Sequence, residues 1–380
     1  MSNAHRTDPY FRLLRIMIVL LVLFVVFLVG YLLLDSHLRG RYIQEQGRIV
    51  EENNAMVQAY NDAVLAQRTQ VEPDVAPDWP VPAQTGTDIV SLKGYAVKGT
   101  NPVTISRAEA LKGGLMLLNR WHMLPADFAL VESEIDSIMT LTDRRVPTES
   151  REMSLFPEAV TALDEMIAAA KADGLEYYIV RGAYRTMQTQ TNYWNAASER
   201  LSARYSGDML TEEVRKGVSY PGTSDYQSGL SVEIKAWSPN DPVLNAAVAA
   251  NFQTTEQAKW LYENSWKYGY VFRFPVSGYP NAQTIDKSYK TGIDLKMDAY
   301  RYVGIPHARV MHEKQFSLEE YIEYLIENKH IAVYEEGQLK YEIFRVPYDG
   351  EDAEVSIPAN AASYSASADN MGGLVVAVTY

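Results

Sequence analysis

The order of hydrophobic and polar positions divides the chain into one uninterrupted apolar run and a long region of mixed periodicity. Residues 16–34 (IMIVLLVLFVVFLVGYLLL) contain no charged side chain. As a helix, at about 1.5 Å per residue, this run nearly spans a ~30 Å hydrocarbon layer. A cleaved signal peptide is the alternative, but its apolar region is shorter and ends at a small-x-small site, which LLLDSHLRGRY lacks. We therefore expect an uncleaved transmembrane helix.

The charges around this run indicate its orientation. Three arginines precede it within residues 1–15, whereas Asp35, Arg39 and Arg41 follow it, a slight bias toward a cytoplasmic N-terminus. The formal net charge of the whole chain is −13, although arginines outnumber acids in this first part. The remainder is therefore acidic, which argues against nucleic-acid binding, since phosphate contacts require a basic face. We expect a single-pass cell-membrane protein with an extracytoplasmic main domain.

Residues 35–70 are predicted to form a juxtamembrane helix. Apolar residues recur there every seven positions: Ile43, Val50, Val57 and Val64. Such a stripe is typical of helices that pair, and it predicts a possible homodimer through residues 38–70. The second seam expected of a coiled coil is mostly polar, so an amphipathic helix lying on its own domain is an equal alternative.

The rest of the chain reads as an arm, a mixed domain and a β-rich tail. Residues 71–86 contain four prolines, and we expect a proline-rich linker or wrapping arm over 71–114. Helical periodicity and short β-type runs then alternate irregularly over 115–330, which predicts an α+β fold. Alternation over residues 331–347 predicts a hairpin that turns near Glu336 and Gly337, and residues 374–379 read as a final strand. The β-rich tail over 331–380 would form either a separate subdomain or edge strands of the main sheet.

Local signals place the main elements of the central region. Residues 156–175 read as a helix stopped by Gly174, 176–185 as a strand, and 186–205 as a second helix. A third helix ends at Gly269 and a short strand follows it. Ser317 and Glu320 form a capping box for a late helix.

Few catalytic templates fit the composition. The chain has no cysteine, which excludes disulfides, cysteine-bound zinc and thiol nucleophiles. Its six histidines form no HxxH, HExxH or HxH motif. Neither a nucleophile elbow nor a phosphate-binding glycine loop occurs.

Several ordered segments nevertheless resemble one enzyme family. RGAYRTMQTQ (181–190) is similar to Y-R-s-x-x-x-Q, and PGTSDYQSGLSVEI (221–234) to P-G-x-S-E-H-x-x-G-x-x-x-D. YGYVFRFP (268–275) and DLKMDAYRYVG (294–304) are similar to Y-G-F-x-x-R-Y-P and E-x-W-H-x-R-Y-V-G, and LLNRWHMLPADF (117–128) resembles the opening segment. These motifs resemble the VanY-type D-alanyl-D-alanine carboxypeptidases, zinc peptidases that trim peptidoglycan stem peptides. The resemblance implies a LAS/hedgehog-type peptidase domain over 115–330, with a small antiparallel sheet flanked by helices.

The resemblance fails at the metal site. The two zinc histidines of the family fall on Tyr226 and Ala299, its zinc aspartate on Glu233, and its general-base glutamate on Lys296. A phenol is a poor zinc ligand at neutral pH, alanine offers no donor, and an ammonium group accepts no proton and repels a cation. Asp298 adjoins Ala299, but adjacent side chains of a strand point to opposite faces. We therefore expect zinc, and with it catalysis, to be lost.

The resemblance implies that part of the substrate pocket is retained. Arg185 matches the arginine that contacts substrate, and Gln190 and Ser224 match polar pocket positions. A guanidinium group suits a terminal carboxylate, although a structural ion pair is an alternative role for Arg185. We also expect Lys296 to pair with Glu233 and so fill the former metal site.

Together these residues predict a membrane-anchored pseudo-carboxypeptidase of the bacterial cell envelope. Its cleft would bind peptidoglycan stem peptide or an envelope protein without a cofactor. One alternative is an active zinc D-Ala-D-Ala carboxypeptidase with a rebuilt metal site. The other is a structural membrane module that dimerises through its juxtamembrane helix and has an inert cleft.

Overall fold

The computed structural model describes residues 14, 17–33, 37, 41, 48, 82–95, 97, 99–294 and 296–380. Contacts divide the chain into two units, residues 1–75 and 76–380. In the first unit, residues 17–33 are helical. Among the residues described, no helix is both long enough and apolar enough to cross a membrane. The heptad positions of the predicted juxtamembrane helix lie outside the described residues.

The second unit contains eleven α-helices and thirteen strands among its described residues. The helices are α1 Arg107–Lys112, α2 Ala129–Glu132, α3 Ile138–Leu141, α4 Pro157–Ala172, α5 Met187–Ser202, α6 Gly207–Arg215, α7 Pro242–Asn251, α8 Glu256–Asn264, α9 Ser288–Thr291, α10 Ile305–Lys314 and α11 Leu318–Asn328. The strands are β1 Thr87–Ser91, β2 Thr100–Ile105, β3 Asp136–Ser137, β4 Ser154–Leu155, β5 Tyr178–Gly182, β6 Ser231–Ala236, β7 Tyr270–Phe272, β8 Ala299–Tyr302, β9 His330–Glu335, β10 Gln338–Pro347, β11 Ala353–Pro358, β12 Ser363–Ala368 and β13 Gly373–Thr379.

The central region is built on a four-stranded antiparallel sheet in the order β5-β6-β8-β7. Helix α4 buries Leu163 and Met166 in the same core cluster as Val180 and Val232 of the sheet. The predicted helix over 156–175 and the strand after it are thus confirmed, as is the α+β class. This sheet positions the site, because its strands β6 and β8 carry Glu233 and Ala299, two of the three positions matched to the metal ligands.

The tail forms a second sheet rather than extra strands of the first. Its order is β1-β9-β10-β13-β12, and the predicted hairpin turns at Glu336 and Gly337. Ile343 and Val375 pack toward α10 and α11, whereas Phe344 and Val376 face the core beneath β2 and β11. Both faces of the sheet are therefore buried.

The predicted arm supplies structure to this second sheet. Strand β1 pairs with β9, and β2 pairs with β11 in a separate two-stranded sheet. Helix α1 follows directly, with Ser106 accepting a hydrogen bond from the Glu109 amide at its N-terminus. The segment over 71–114 thus contains regular elements from Thr87 onward.

Candidate functional site

The cleft lies where the ends of β5, β6 and β8 meet. Glu233 of β6 is opposite Gly182 on one side and opposite Ala299 on the other. A Cβ atom added to Gly182 would lie 2.7 Å from the Glu233 carboxyl carbon, so this glycine makes room for the glutamate side chain. The sheet register therefore brings two of the predicted metal positions, Glu233 and Ala299, side by side.

Tyr226 completes the predicted group from the other side. It lies on a short 3-10 helix, Asp225–Ser228, that ends at the left-handed Gly229, and its carbonyl accepts a hydrogen bond from the Arg185 amide. Its ring is buried in a small cluster with Phe274, Ile293 and Ala299. Burial raises the pKa of the Tyr226 phenol well above its ordinary value. Its buried hydroxyl has no hydrogen-bond partner among the described residues.

An ion-pair chain occupies the middle of the cleft. The guanidinium of Arg185 lies 2.7 Å from Oε1 of Glu233, and the ammonium of Lys296 lies 2.8 Å from the same oxygen. Lys296 also lies 3.4 Å from Asp298, which lies 3.2 Å from Lys235. We call these five residues the cleft cluster. The predicted pairing of Lys296 with Glu233 is confirmed.

These residues do not fit a zinc ion. A catalytic zinc requires three protein donors and an open position. Glu233 is the one good donor at the matched positions, and its Oε1 already accepts from two cations. Ala299 has no donor, and the ammonium of Lys296 would repel a divalent ion. Among the described residues, no group of three histidine, aspartate or glutamate side chains is arranged to hold a metal.

The predicted substrate-contact residues lie together beside the cluster. Arg185 stacks on the rings of Tyr226 at 4.0 Å and Tyr193 at 4.4 Å, and donates to Gln190 at 3.3 Å. The Gln190 amide also donates to the Ser219 carbonyl at 2.7 Å, and its side chain is fully buried. These contacts tie α5 to the loop before the 3-10 helix and fix the guanidinium.

Ser224 occupies the N-cap of the 3-10 helix and is buried, with its carbonyl accepting from the Gln227 amide. Its side chain makes no capping hydrogen bond. The roles assigned to Arg185, Gln190 and Ser224 in substrate contact stay predictions.

A second ionic group lies directly behind the cleft. Asp225 accepts from Arg273 at 3.0 Å, from Arg301 at 3.1 Å and from Ser231. Arg273 also donates to both carboxylate oxygens of Glu319 on α11, at 3.0 and 2.8 Å. We call Asp225, Arg273, Arg301 and Glu319 the buried network. Despite its complete burial, the neighbouring guanidinium groups lower the pKa of Asp225.

Sequence reasoning missed two members of the cleft cluster and one of its neighbours: Lys235, Asp298 and Tyr193. Alternation along a strand was expected to turn Asp298 away, but β8 begins at Ala299, so Asp298 precedes the strand. Lys235 follows Glu233 by two positions on β6 and therefore shares its face. That spacing was a usable signal.

The central region is similar in sequence to known proteins. Residues 152–304 match the sequence model of VanY, D-alanyl-D-alanine carboxypeptidase. A D-alanyl-D-alanine carboxypeptidase of Enterococcus faecium is 28% identical over 74% of this chain and 80% of that protein. One of Enterococcus faecalis is 26% identical over 64% and 78%, respectively.

A solved structure shows the same fold. The crystal structure of the vancomycin-resistance D,D-dipeptidase VanXYg, in complex with a D-Ala-D-Ala phosphinate analogue, superposes with a TM-score of 0.57 at 21% identity. The match covers 74% of this chain and 99% of that one. This likeness shows the fold alone, whereas the match to the family model assigns residues 152–304 to a VanY-type D-alanyl-D-alanine carboxypeptidase domain.

Proposed function

We propose that this protein is a non-hydrolytic member of its family that binds peptidoglycan stem peptides through the former catalytic cleft. The observation that carries the proposal is the ammonium group of Lys296, 2.8 Å from Glu233. It places a protein cation beside the one carboxylate left among the matched metal positions. The same lysine stands at the matched position of the general base.

The chemistry of these side chains supports binding rather than hydrolysis. Peptide-bond hydrolysis in a metallopeptidase requires an activated water and a group that accepts its proton. Lys296 is a donor without a free lone pair, and Ala299 contributes no polar atom. Donors that can hold a ligand remain, because Arg185, Lys296 and the Tyr226 hydroxyl all lie at the cleft.

Attachment to the cell membrane through residues 16–34 is part of the proposal. Support comes from the helix over residues 17–33, whose apolar side chains are exposed. A membrane anchor would keep the cleft close to the wall, where stem peptides occur. An envelope protein as ligand, and a homodimer through residues 38–70, remain subsidiary proposals.

Retained carboxypeptidase activity is the second candidate. The names of the matched enterococcal relatives, both D-alanyl-D-alanine carboxypeptidases, favour it. It requires metal ligands other than the four matched positions.

Zinc content and D-alanine release distinguish the two candidates. The full chain, purified in detergent and incubated with zinc, is assayed with a pentapeptide ending in D-Ala-D-Ala. We expect peptide binding without stoichiometric zinc or release of D-alanine. Stoichiometric zinc together with D-alanine release would establish the second candidate instead.

A reverted variant provides the matched positive control. It restores the residues that the family has at the four positions: Tyr226→His, Glu233→Asp, Lys296→Glu and Ala299→His. We expect this variant to bind zinc, because the backbone register that holds the matched positions is intact. Zinc bound equally by the reverted and the natural chain would contradict the proposal.

A further inference from the structure

The cleft cluster is not electrically balanced. Its ion pairs join three cations, Arg185, Lys235 and Lys296, to two carboxylates, Glu233 and Asp298. One positive charge is therefore in excess, and two of the cations share a single oxygen of Glu233. An unpaired charge in a partly buried site is unfavourable unless an anion compensates it.

A neutral donor lies beside this excess charge. The Tyr226 side chain is 95% buried, since its relative exposure is 5%, and its hydroxyl is unpaired among the described residues. Its ring contacts the Arg185 guanidinium at 4.0 Å and lies 6.0 Å from the Lys296 ammonium. Buried hydroxyl groups rarely lack a partner, so this hydroxyl is available to donate to an acceptor that enters the cleft.

The cluster is open to a ligand on one side. The Lys296 side chain retains 25% exposure, and among the described residues Glu233 and Asp298 use two of its three donor positions. The side chains of Tyr193 and Met187, both on α5, are about half exposed. Tyr193 stacks on Arg185, so an apolar surface borders the cations.

We propose that Lys296 and Tyr226, two residues foreign to the family's metal site, bind the terminal carboxylate of a peptide without any metal. The ammonium and the hydroxyl donate to the two carboxylate oxygens, and Arg185 adds positive charge beside them. A monoanion brings the cluster to neutrality, whereas a phosphate dianion would overcompensate it. The exposed faces of Tyr193 and Met187 then contact the apolar part of the peptide. This inference rests on the proposed peptide-binding function and specifies how it is achieved.

The test compares an acid with its amide. Calorimetry on the full chain, with a chelator in the buffer, measures binding of an N-acetylated tripeptide ending in D-Ala-D-Ala and of the same peptide with a C-terminal amide. We expect the amide to bind about tenfold more weakly or worse, since it loses hydrogen bonds to charged groups. Lys296→Met should lower affinity for the acid by a similar factor and have little effect on the amide.

The variant Tyr226→Phe distinguishes a loss of ligand binding from a loss of folding. It removes only the unpaired hydroxyl, so the melting temperature should not fall, whereas affinity for the acid should fall several-fold. Lys259→Met, which removes a surface ammonium of α8, is the charge-matched control and should bind both peptides as the natural chain does.

The outcomes separate this inference from the function beneath it. Equal binding of acid and amide, or binding that needs added zinc, would overturn the carboxylate site while leaving peptide recognition standing. Unchanged affinity in both Lys296→Met and Tyr226→Phe would do the same. Absence of binding to either peptide would overturn the proposed function and this inference together.

Discussion

The cleft cluster and the buried network are neighbouring ionic groups that differ in charge balance and in burial. The buried network pairs two guanidinium groups with two carboxylates, and both arginine side chains are completely buried. The cleft cluster has three cations for two carboxylates and keeps part of Lys296 and Lys235 exposed. Balance and burial are features of a structural group, whereas excess charge and exposure are features of a group that meets a ligand.

The two ionic groups also connect different parts of the fold. The buried network links the 3-10 helix to β8 and to α11, so it holds the cleft walls whether or not a metal is present. In the cleft cluster, Arg185 and Lys296 both pair with the carboxylate of Glu233. The buried network therefore joins the elements around the cleft without using any residue of the cleft cluster.

The largest effect is expected from Asp225→Asn. It leaves Arg273 with Glu319 alone and Arg301 without a carboxylate partner, in a fully buried site. We expect a loss of about 3–5 kcal/mol in the free energy of unfolding. Urea denaturation measures it.

Asp127→Asn is the matched control, because Asp127 also pairs with an arginine, Arg107, but is 40% exposed. It should cost less than about 1 kcal/mol. Similar losses in both variants would remove the distinction between buried and exposed ion pairs.

The second-largest effect is expected from acidic pH, which should destabilise the packing of α10 against α11. Burial lowers the pKa of His307 to about 3, and its Nδ1 lies 2.8 Å from the Tyr321 hydroxyl. The unfolded chain binds a proton near pH 6.5, but the folded chain does not until about pH 3. The free energy of unfolding should therefore fall as pH drops through this window, by at most about 1.4 kcal/mol per pH unit.

His307→Gln tests the assignment, because glutamine does not titrate. Stability measured at pH 7 and pH 4.5 should differ less in this variant than in the natural chain. An unchanged pH dependence would assign the acid sensitivity to other groups.

The smallest effects belong to the cleft cluster. Glu233→Gln removes the carboxylate that Arg185 and Lys296 share, and we expect a loss of about 1–3 kcal/mol. Lys296→Met leaves Glu233 paired with Arg185, so stability should change by less than about 1 kcal/mol. Thermal unfolding of both variants measures the contrast. A larger loss for Lys296→Met than for Glu233→Gln would contradict a shared-carboxylate arrangement.

Much of the central fold is encoded in local signals. Thr186, Thr255 and Ser317 cap their helices through side-chain oxygens, and Glu320 completes the predicted capping box. Such caps depend on a few adjacent residues, so a sequence reveals them. Helix α7 was missed although Asp241 accepts at its N-cap and Pro242 follows, a start signal that was available.

Other features depend on partners far along the chain. Strands β11 (AEVSIP) and β12 (SYSASA) do alternate between apolar and polar residues, but most of these residues are small, and the pairing with β2 and β13 defines their place in the fold. The candidate site likewise combines features that the sequence reveals with features that depend on distant contacts. The resemblance to the family's motifs implied that Tyr226, Glu233, Lys296 and Ala299 lie together. The charge excess, in contrast, depends on side-chain contacts that bring Lys235 and Asp298 into the cluster.

The pairing of β1 with β9 constrains the order in which the protein can fold on the ribosome. The amide of Gly86, just before β1, donates to the Glu336 side chain, 250 positions later in the sequence. Strand β2 and its partner β11 are separated by a similarly long stretch of sequence. Because such distant pairings form slowly and leave strand edges exposed meanwhile, the early strands must stay unpaired while the entire peptidase-like region is synthesised. Synthesis of residues 330–358 therefore supplies the partners β9 and β11, and a stop codon before residue 330 would leave β1 and β2 without them.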